Sequence, residues 1–154
     1  MSHNPLYAFP DRCVRVGVSG TGFIARGLLA ALVNSDDFSI SKVLSRRPAR
    51  EVESVDAELL TSSIEELVDS CDIVAECSGD VWRGAEVVRA AMLAGKPVVT
   101  MGTEFHVTVG SYFADQGYLT EAEGDQPGSL AAHVEDVAAM GFKPIVYGNI
   151  KGYL

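Results

Sequence analysis

Gly20, Gly22 and Ala25 stand in a G-x-G-x-x-A spacing, directly after a short apolar run (Val14, Val16, Val18) and before apolar residues at helical spacing (Phe23, Ile24, Leu28, Leu29, Leu32). A strand, a tight turn and a helix are therefore expected in that order. In such a turn the first glycine permits the sharp reversal and the second lets the backbone approach a pyrophosphate. The small third residue lets helix and strand pack closely. The anion would rest on backbone N–H groups and the positive end of the helix dipole, with no basic side chain required. The candidate contacts are Gly20, Thr21, Gly22, Phe23 and Ile24; the competing reading is an ordinary structural turn.

A second cluster comes about twenty residues or slightly more beyond the glycines, where a domain that prefers NAD usually holds the ribose diol with an acidic residue. This chain carries Ser45, Arg46 and Arg47 there, followed by Pro48 and Arg50. A hydroxyl and two guanidinium groups suit the 2′-phosphate of NADP, because arginine holds phosphate through paired charge-assisted bonds. NADP(H) is therefore the preferred cofactor and NAD(H) the second choice, against a solvated basic loop. Cys77, Ser78 and Gly79 close a third stretch in small residues, leaving room for the sugar and pyrophosphate; a plain strand exit accounts for them equally well.

The elements that must position these residues are legible in outline. The strand through Val18 and the helix to about Asn34 are followed by a second strand, Phe38 to Ser45, whose alternation suggests an exposed face or a place towards the sheet edge. Asp56 to Thr61 reads as a short third strand, and Ser63 with Glu66 as a capping box opening a helix through Val68. Asp72 to Ser78 gives a fourth strand. Val81, Ala85, Val88 and Met92 mark a helix closed by Gly95, with Trp82 read as packing rather than cofactor stacking. Pro97 to Met101 supplies a fifth strand. Beyond it come a helix over Val107 to Gln116, a strand over Tyr118 to Ala122, a helix from Gln126 and Pro127 to about Met140, and a last strand, Ile145 to Tyr147. Repeated strand-helix-strand units with short connections specify an α/β fold, a Rossmann-like doubly wound, mainly parallel sheet with helices on both faces, whose ligands bind at the carboxyl ends of the strands. Residues 1–11 form a lead-in, in which Tyr7 and Phe9 are candidates to pack on the domain, and residues 12–154 form the nucleotide-binding domain.

Composition narrows the function classes. The 154 residues carry 47% hydrophobic and 21% charged side chains, as ordinary globular chains do. A net charge of −9 argues against nucleic acid or an anionic membrane as partner, since both need clustered Lys and Arg. An anionic cofactor must therefore be held locally. Cys13, Cys71 and Cys77 lack metal-ligand spacing and read as reduced packing residues of a cytoplasmic protein; no metal site is expected. Neither a signal pattern nor a membrane-length apolar run is present in the sequence.

Three further motifs, VTVG (Val107 to Gly110), GDQPG (Gly124 to Gly128) and GNIKG (Gly148 to Gly152), together with the glycine turn, make nearly everything from Arg12 to Leu154 resemble the NAD(P)-binding domain of the homoserine dehydrogenase-like oxidoreductases. The subgroup it looks like places that domain before further catalytic and SAF-type domains, and includes deoxyxylulose phosphate reductoisomerase-like enzymes. The resemblance implies an oxidoreductase that passes hydride between nicotinamide and a small carbonyl or alcohol substrate, with the nucleotide, a small molecule and a second copy of the chain as partners. Homoserine dehydrogenases tend to carry Asn-Lys after the fifth strand, where this chain has Gly102, Thr103 and Glu104, which argues against homoserine as substrate. Family members also continue beyond the position of Leu154, so the chain reads as a truncated domain, inactive alone, in preference to a degraded remnant. Candidate catalytic residues are Glu104, to polarise substrate or join a metal site, Asp125, to position substrate, and Lys151, to stabilise a developing oxyanion. Each has a bland counterpart: a loop carboxylate, a turn or cap residue, a surface lysine. His106 and His133 read as surface or packing residues, His133 beside an apolar helix face. The rival from another class is a non-catalytic NADP(H) sensor, which would place no functional groups around the nicotinamide. A methyltransferase is weaker still, because it normally wants a carboxylate where Arg46 and Arg47 stand.

Overall fold

The computed structural model describes residues 13–52, 55–122 and 128–146. Six parallel strands form one sheet: β1 (Val14–Ser19), β2 (Phe38–Leu44), β3 (Leu60–Thr61), β4 (Ile73–Glu76), β5 (Val98–Thr100) and β6 (Leu119–Glu121), in the spatial order β3-β2-β1-β4-β5-β6. The order reverses between β1 and β4. That is the place where an open parallel sheet leaves a crevice outside its strand ends.

Alternation along the strands feeds two cores. Val16 and Val18 of β1, Val43 of β2, and Ala75 and Cys77 at β4 pack with Ala25 and Leu29 of α1 (Phe23–Leu32). On the opposite face Val74 and Val98 pack with Leu67, Val68 and Cys71 of the segment around α2 (Ile64–Ser70), and with Val87, Val88 and Ala91 of α3 (Val81–Leu93). Val18, Val43, Val74, Val87, Val88 and Val98 are completely buried, each worth about 1.5–3 kcal/mol relative to exposure. The two halves of the sheet are clamped where β1 and β4 begin. Arg15 presents Nη2 and Nε to Asp72 Oδ1 and Oδ2 at 2.9 and 3.2 Å, and its backbone N–H donates to the same carboxylate at 2.9 Å. That carboxylate raises the Arg15 pKa further, through its hydrogen bond and its charge.

Helix caps follow the sequence in part. Ser63 Oγ accepts from Glu66 N at 3.1 Å, but the Glu66 carboxylate turns to Thr61 Oγ1 at 2.6 Å and to Lys42 at 2.9 Å, so only half of the capping box forms. Asp80 caps α3, accepting from Trp82 N and Arg83 N. After β5 the chain is helical from Thr103 to Phe113, as α4 (Thr103–Phe105), a π-helical stretch (His106–Gly110) and α5 (Ser111–Phe113). His106 Nε2 meets Thr100 Oγ1 at 2.5 Å and its ring stands edge-on to Phe105, so this histidine packs. Helix α6 (Gly128–Ala139) completes the described elements.

Several expectations are corrected. Phe23 and Ile24 are 82% and 51% exposed, and Trp82 is 76% exposed rather than packed. Trp82 shares a face of α3 with Ala85, Arg89 and Leu93, which borders an open groove with Val109, Tyr112 and Phe113 instead of the sheet. Residues 145 and 146 are unpaired and almost fully exposed instead of forming a strand, because β6 is the last strand to find a partner among the described residues. Tyr147 lies outside the described residues. His133 is at the surface, one of the two placements expected of it, but helix α6 buries no residue, so the apolar spacing beside it meets no core. Cys13 is exposed while Cys71 and Cys77 are buried. The lead-in, Tyr7 and Phe9, and the helix start at Gln126 and Pro127 lie outside the described residues. Among the described residues no helix is long and apolar enough to cross a membrane.

Candidate functional site

The carboxyl ends of β1, β2 and β4 enclose a cavity of about 240 Å³ lined by Ser19, Gly20, Thr21, Gly22, Leu44, Ser45, Arg46, Arg47, Ser78 and Arg83. Two clusters separate in sequence thus meet at one cavity, which Ser78, just beyond β4, also lines.

The floor is the glycine turn. Gly20 has φ +111°, a conformation that side-chain-bearing residues rarely adopt, and its N–H donates to Leu44 O at 3.0 Å. A Cβ at Gly20 would lie 2.9 Å from Cys77 O, so the turn presses directly on the strand beside it. At Gly22 a Cβ would meet no protein atom within 4 Å, which leaves the space above this backbone open to a ligand. Gly22 begins α1, and no side chain caps that helix and no acidic residue stands in its first turn. Helices α2 and α3 are both capped by side chains. Uncapped N-terminal N–H groups facing a cavity are suited to an anion.

The side wall is basic, and its two arginines diverge. Ser45 Oγ accepts from Arg47 N at 3.0 Å, which folds the chain into a tight turn after β2. Arg47 then reaches back over the glycine turn, where Nη2 donates to Thr21 Oγ1 at 2.7 Å and to Thr21 O at 3.0 Å. Arg46 turns to the start of α3 instead, where its Nη1 donates to Asp80 Oδ2 at 3.0 Å. The Asp80 carboxyl is held below the usual range, first by the backbone N–H of Arg83, with the Arg46 charge contributing.

Beneath Ser78 lies a carboxylate that the sequence reading passed over. Glu76 is 2% exposed, accepts from Ser78 N at 2.9 Å and lies 3.5 Å from Ser19 Oγ. Burial pushes its pKa up, opposed by the Ser78 and Ser19 hydrogen bonds. A Cβ on Gly84 would come within 3.3 Å of this carboxylate, so α3 lies directly over it. A Glu ending an apolar strand one turn from a glycine-bearing helix was the available signal. Arg83 was missed because it sits in a helix read only for its apolar period.

Of the other expected contacts, Phe23, Ile24, Cys77 and Gly79 do not line the cavity. Cys77 forms the backing of the glycine turn, and burial raises its thiol pKa to about 12. Glu104 is exposed on α4, at the carboxyl edge beyond β5 and outside this cavity. Asp125 and Lys151 lie outside the described residues. Near Glu104, Glu121 receives Gly128 N at 2.8 Å and Thr103 Oγ1 at 3.3 Å, which ties the end of β6 to the start of α6. Among the described residues no group of three or more His, Cys, Asp or Glu is placed to hold a metal ion.

Residues 20–108 match the family described as the NAD-binding domain of homoserine dehydrogenase. No curated protein sequence matches. Among solved structures, a homoserine dehydrogenase from Thiobacillus denitrificans superposes with a TM-score of 0.64 at 24% identity, over 73% of this chain and 30% of that one. Biliverdin reductase from Synechocystis sp. PCC 6803, solved with biliverdin and NADP+, gives 0.58 at 18% identity, over 82% of this chain and 43% of that one. A putative oxidoreductase from Yersinia pestis gives 0.58 at 20% identity, over 85% and 40%. The chain thus spans less than half the length of each of these proteins.

Proposed function

The chain belongs to the homoserine dehydrogenase NAD-binding domain family, and from that premise we propose that it is the NADP(H)-binding domain of an oxidoreductase that moves hydride between nicotinamide and a small carbonyl or alcohol substrate. The observation that carries this reading is that an uncapped helix start and the Ser45-Arg46-Arg47 turn line one and the same cavity. In this assignment the backbone of Gly20, Thr21 and Gly22 receives the pyrophosphate. Ser45, Arg46 and Arg47 receive the phosphate on the adenosine ribose, and Ser78 borders the sugar next to the glycine turn. The bound cofactor supplies or accepts the hydride, while the protein orients it and excludes water.

Glu104, beyond β5, is the described candidate to act on substrate, with Asp125 and Lys151 assigned positioning and oxyanion roles. A second reading, a nucleotide sensor without chemistry of its own, draws support from the absence of Glu104 from the cavity wall.

Calorimetric titration with NADPH and NADH at fixed ionic strength tests the proposal. NADPH should bind more tightly, and Arg47→Asp should weaken it about 10- to 150-fold while changing NADH less. Equal losses for both cofactors would refute the phosphate assignment, and failure of the parent chain to bind either would refute the cofactor reading.

A further inference from the structure

Arg83 lines the same cavity as Arg46 and Arg47, and none of the roles above uses it. It is the third residue of α3, and its backbone N–H donates at 3.1 Å to Asp80 Oδ1, on the carboxylate whose other oxygen receives Arg46. Its side chain is 24% exposed, and Nη1 donates to Glu86 Oε2 at 2.7 Å. Its Nε is buried without a hydrogen-bond partner, alone in this among side-chain nitrogens and oxygens of the described residues. Leaving such a donor unpaired is costly, and most buried polar groups avoid it. Glu86 is 62% exposed, so the pair that holds Arg83 is screened by solvent and weak enough to exchange for a better anion.

We propose that Arg83 is a specificity-determining residue for the phosphate on the adenosine ribose of NADP. On binding, its guanidinium swings from Glu86 to the phosphate oxygens and brings Nε–H into a hydrogen bond. This rests on reading the cavity as a dinucleotide site. The adenosine end is favoured over the pyrophosphate because Arg83 shares a helical turn with Asp80, the hydrogen-bond partner of Arg46. The pyrophosphate end is already served by the start of α1. A phosphate dianion would then be gripped by Arg46 and Arg47 from the β2 side and by Arg83 from the α3 side. Without ligand, Asp80 and Glu86 hold two of these three charges in place.

The test uses the full chain and two probes that differ at the ribose, adenosine 2′,5′-bisphosphate and adenosine 5′-monophosphate, titrated calorimetrically at low ionic strength. Arg83→Gln should weaken the bisphosphate about tenfold or more, with the monophosphate changed by less than about twofold. Glu86→Gln should tighten the bisphosphate by up to about fivefold, since only a surface pair is released. Thermal melting of each variant verifies its fold, and should Arg83→Gln not fold, the Glu86 variant decides. A parent chain that binds neither probe refutes the dinucleotide reading itself. A parent that binds the bisphosphate, with Arg83→Gln leaving it unchanged or weakening both probes equally, or with Glu86→Gln failing to tighten it, overturns the role of Arg83 alone.

Discussion

Gly20 and Gly22 sit two residues apart in one turn, yet alanine at each should fail in a different way. At Gly20 the backbone has φ +111°, and an added Cβ would lie 2.9 Å from Cys77 O and 3.0 Å from Ser78 Cα. The conformation alone costs about 1–3 kcal/mol. Displacing the backbone at the end of β4 adds about 1–3 kcal/mol, as overpacking does. For a domain of this size each kcal/mol moves Tm by about 2–4 °C, so Gly20→Ala should melt at least about 4 °C lower. Gly22 has φ −78° and open space above it, so Gly22→Ala loses only the small preference for glycine over alanine at a helix start, about 0.5–1 kcal/mol. Its new methyl group projects where the pyrophosphate must approach, and NADPH affinity should fall about 5- to 150-fold. Melting curves of the two ligand-free variants and NADPH titration of Gly22→Ala make the comparison. Equal melting losses, or parental NADPH affinity in Gly22→Ala, would refute the division of labour within the turn.

Two other substitutions probe the same cleft. Glu76 is raised above its ordinary carboxyl value of 4.5, chiefly by burial, so the folded state favours the protonated acid. Its contribution is therefore greatest below that ordinary value and is lost as pH rises through the raised one. In urea unfolding Glu76→Gln should pull ahead of the parent as pH rises above 4.5, and parallel pH profiles would show that burial of this carboxylate is not felt. Asp80→Asn keeps an acceptor for the α3 cap but removes the charge facing Arg46, so NADPH should bind more tightly, by about twofold. The Asp80 carboxyl is depressed, so the stability it contributes is present above the ordinary aspartate range and is lost as pH falls through the depressed value. The asparagine variant should lack that acid-side loss, and an unchanged acid limb would count against it.

Local rules made much of the architecture legible from the chain. Val14, Val16 and Val18 alternate, Gly20 breaks the strand, and Ala25 and Leu29 recur one helical turn apart, so strand, turn and helix each follow from neighbours in sequence. The same holds for β2, β4 and β5, and for the basic turn after β2. Where the apolar period was read without its surroundings it misled. Phe23, Ile24 and Trp82 continue helical patterns but are exposed, and residues 145 and 146 have strand-like side chains without a strand to pair.

The sequence by itself determined that a glycine turn would open a helix, that a serine and two arginines would follow the second strand, and that the strands would be linked as a parallel sheet. Only the tertiary structure decided that these clusters share a cavity, because parallel pairing joins segments far apart: β1 pairs with both β2 and β4, and Arg15 grips a carboxylate 57 residues away. It alone showed Arg46 paired with Asp80, Arg47 folded onto Thr21, Glu76 buried under Ser78, and Arg83 with a nitrogen still lacking a partner. The physical reason is one of range. Propensity, periodicity and turn chemistry act over a few residues, whereas burial, ion pairing and the walls of a cavity depend on which distant segments the sheet brings side by side.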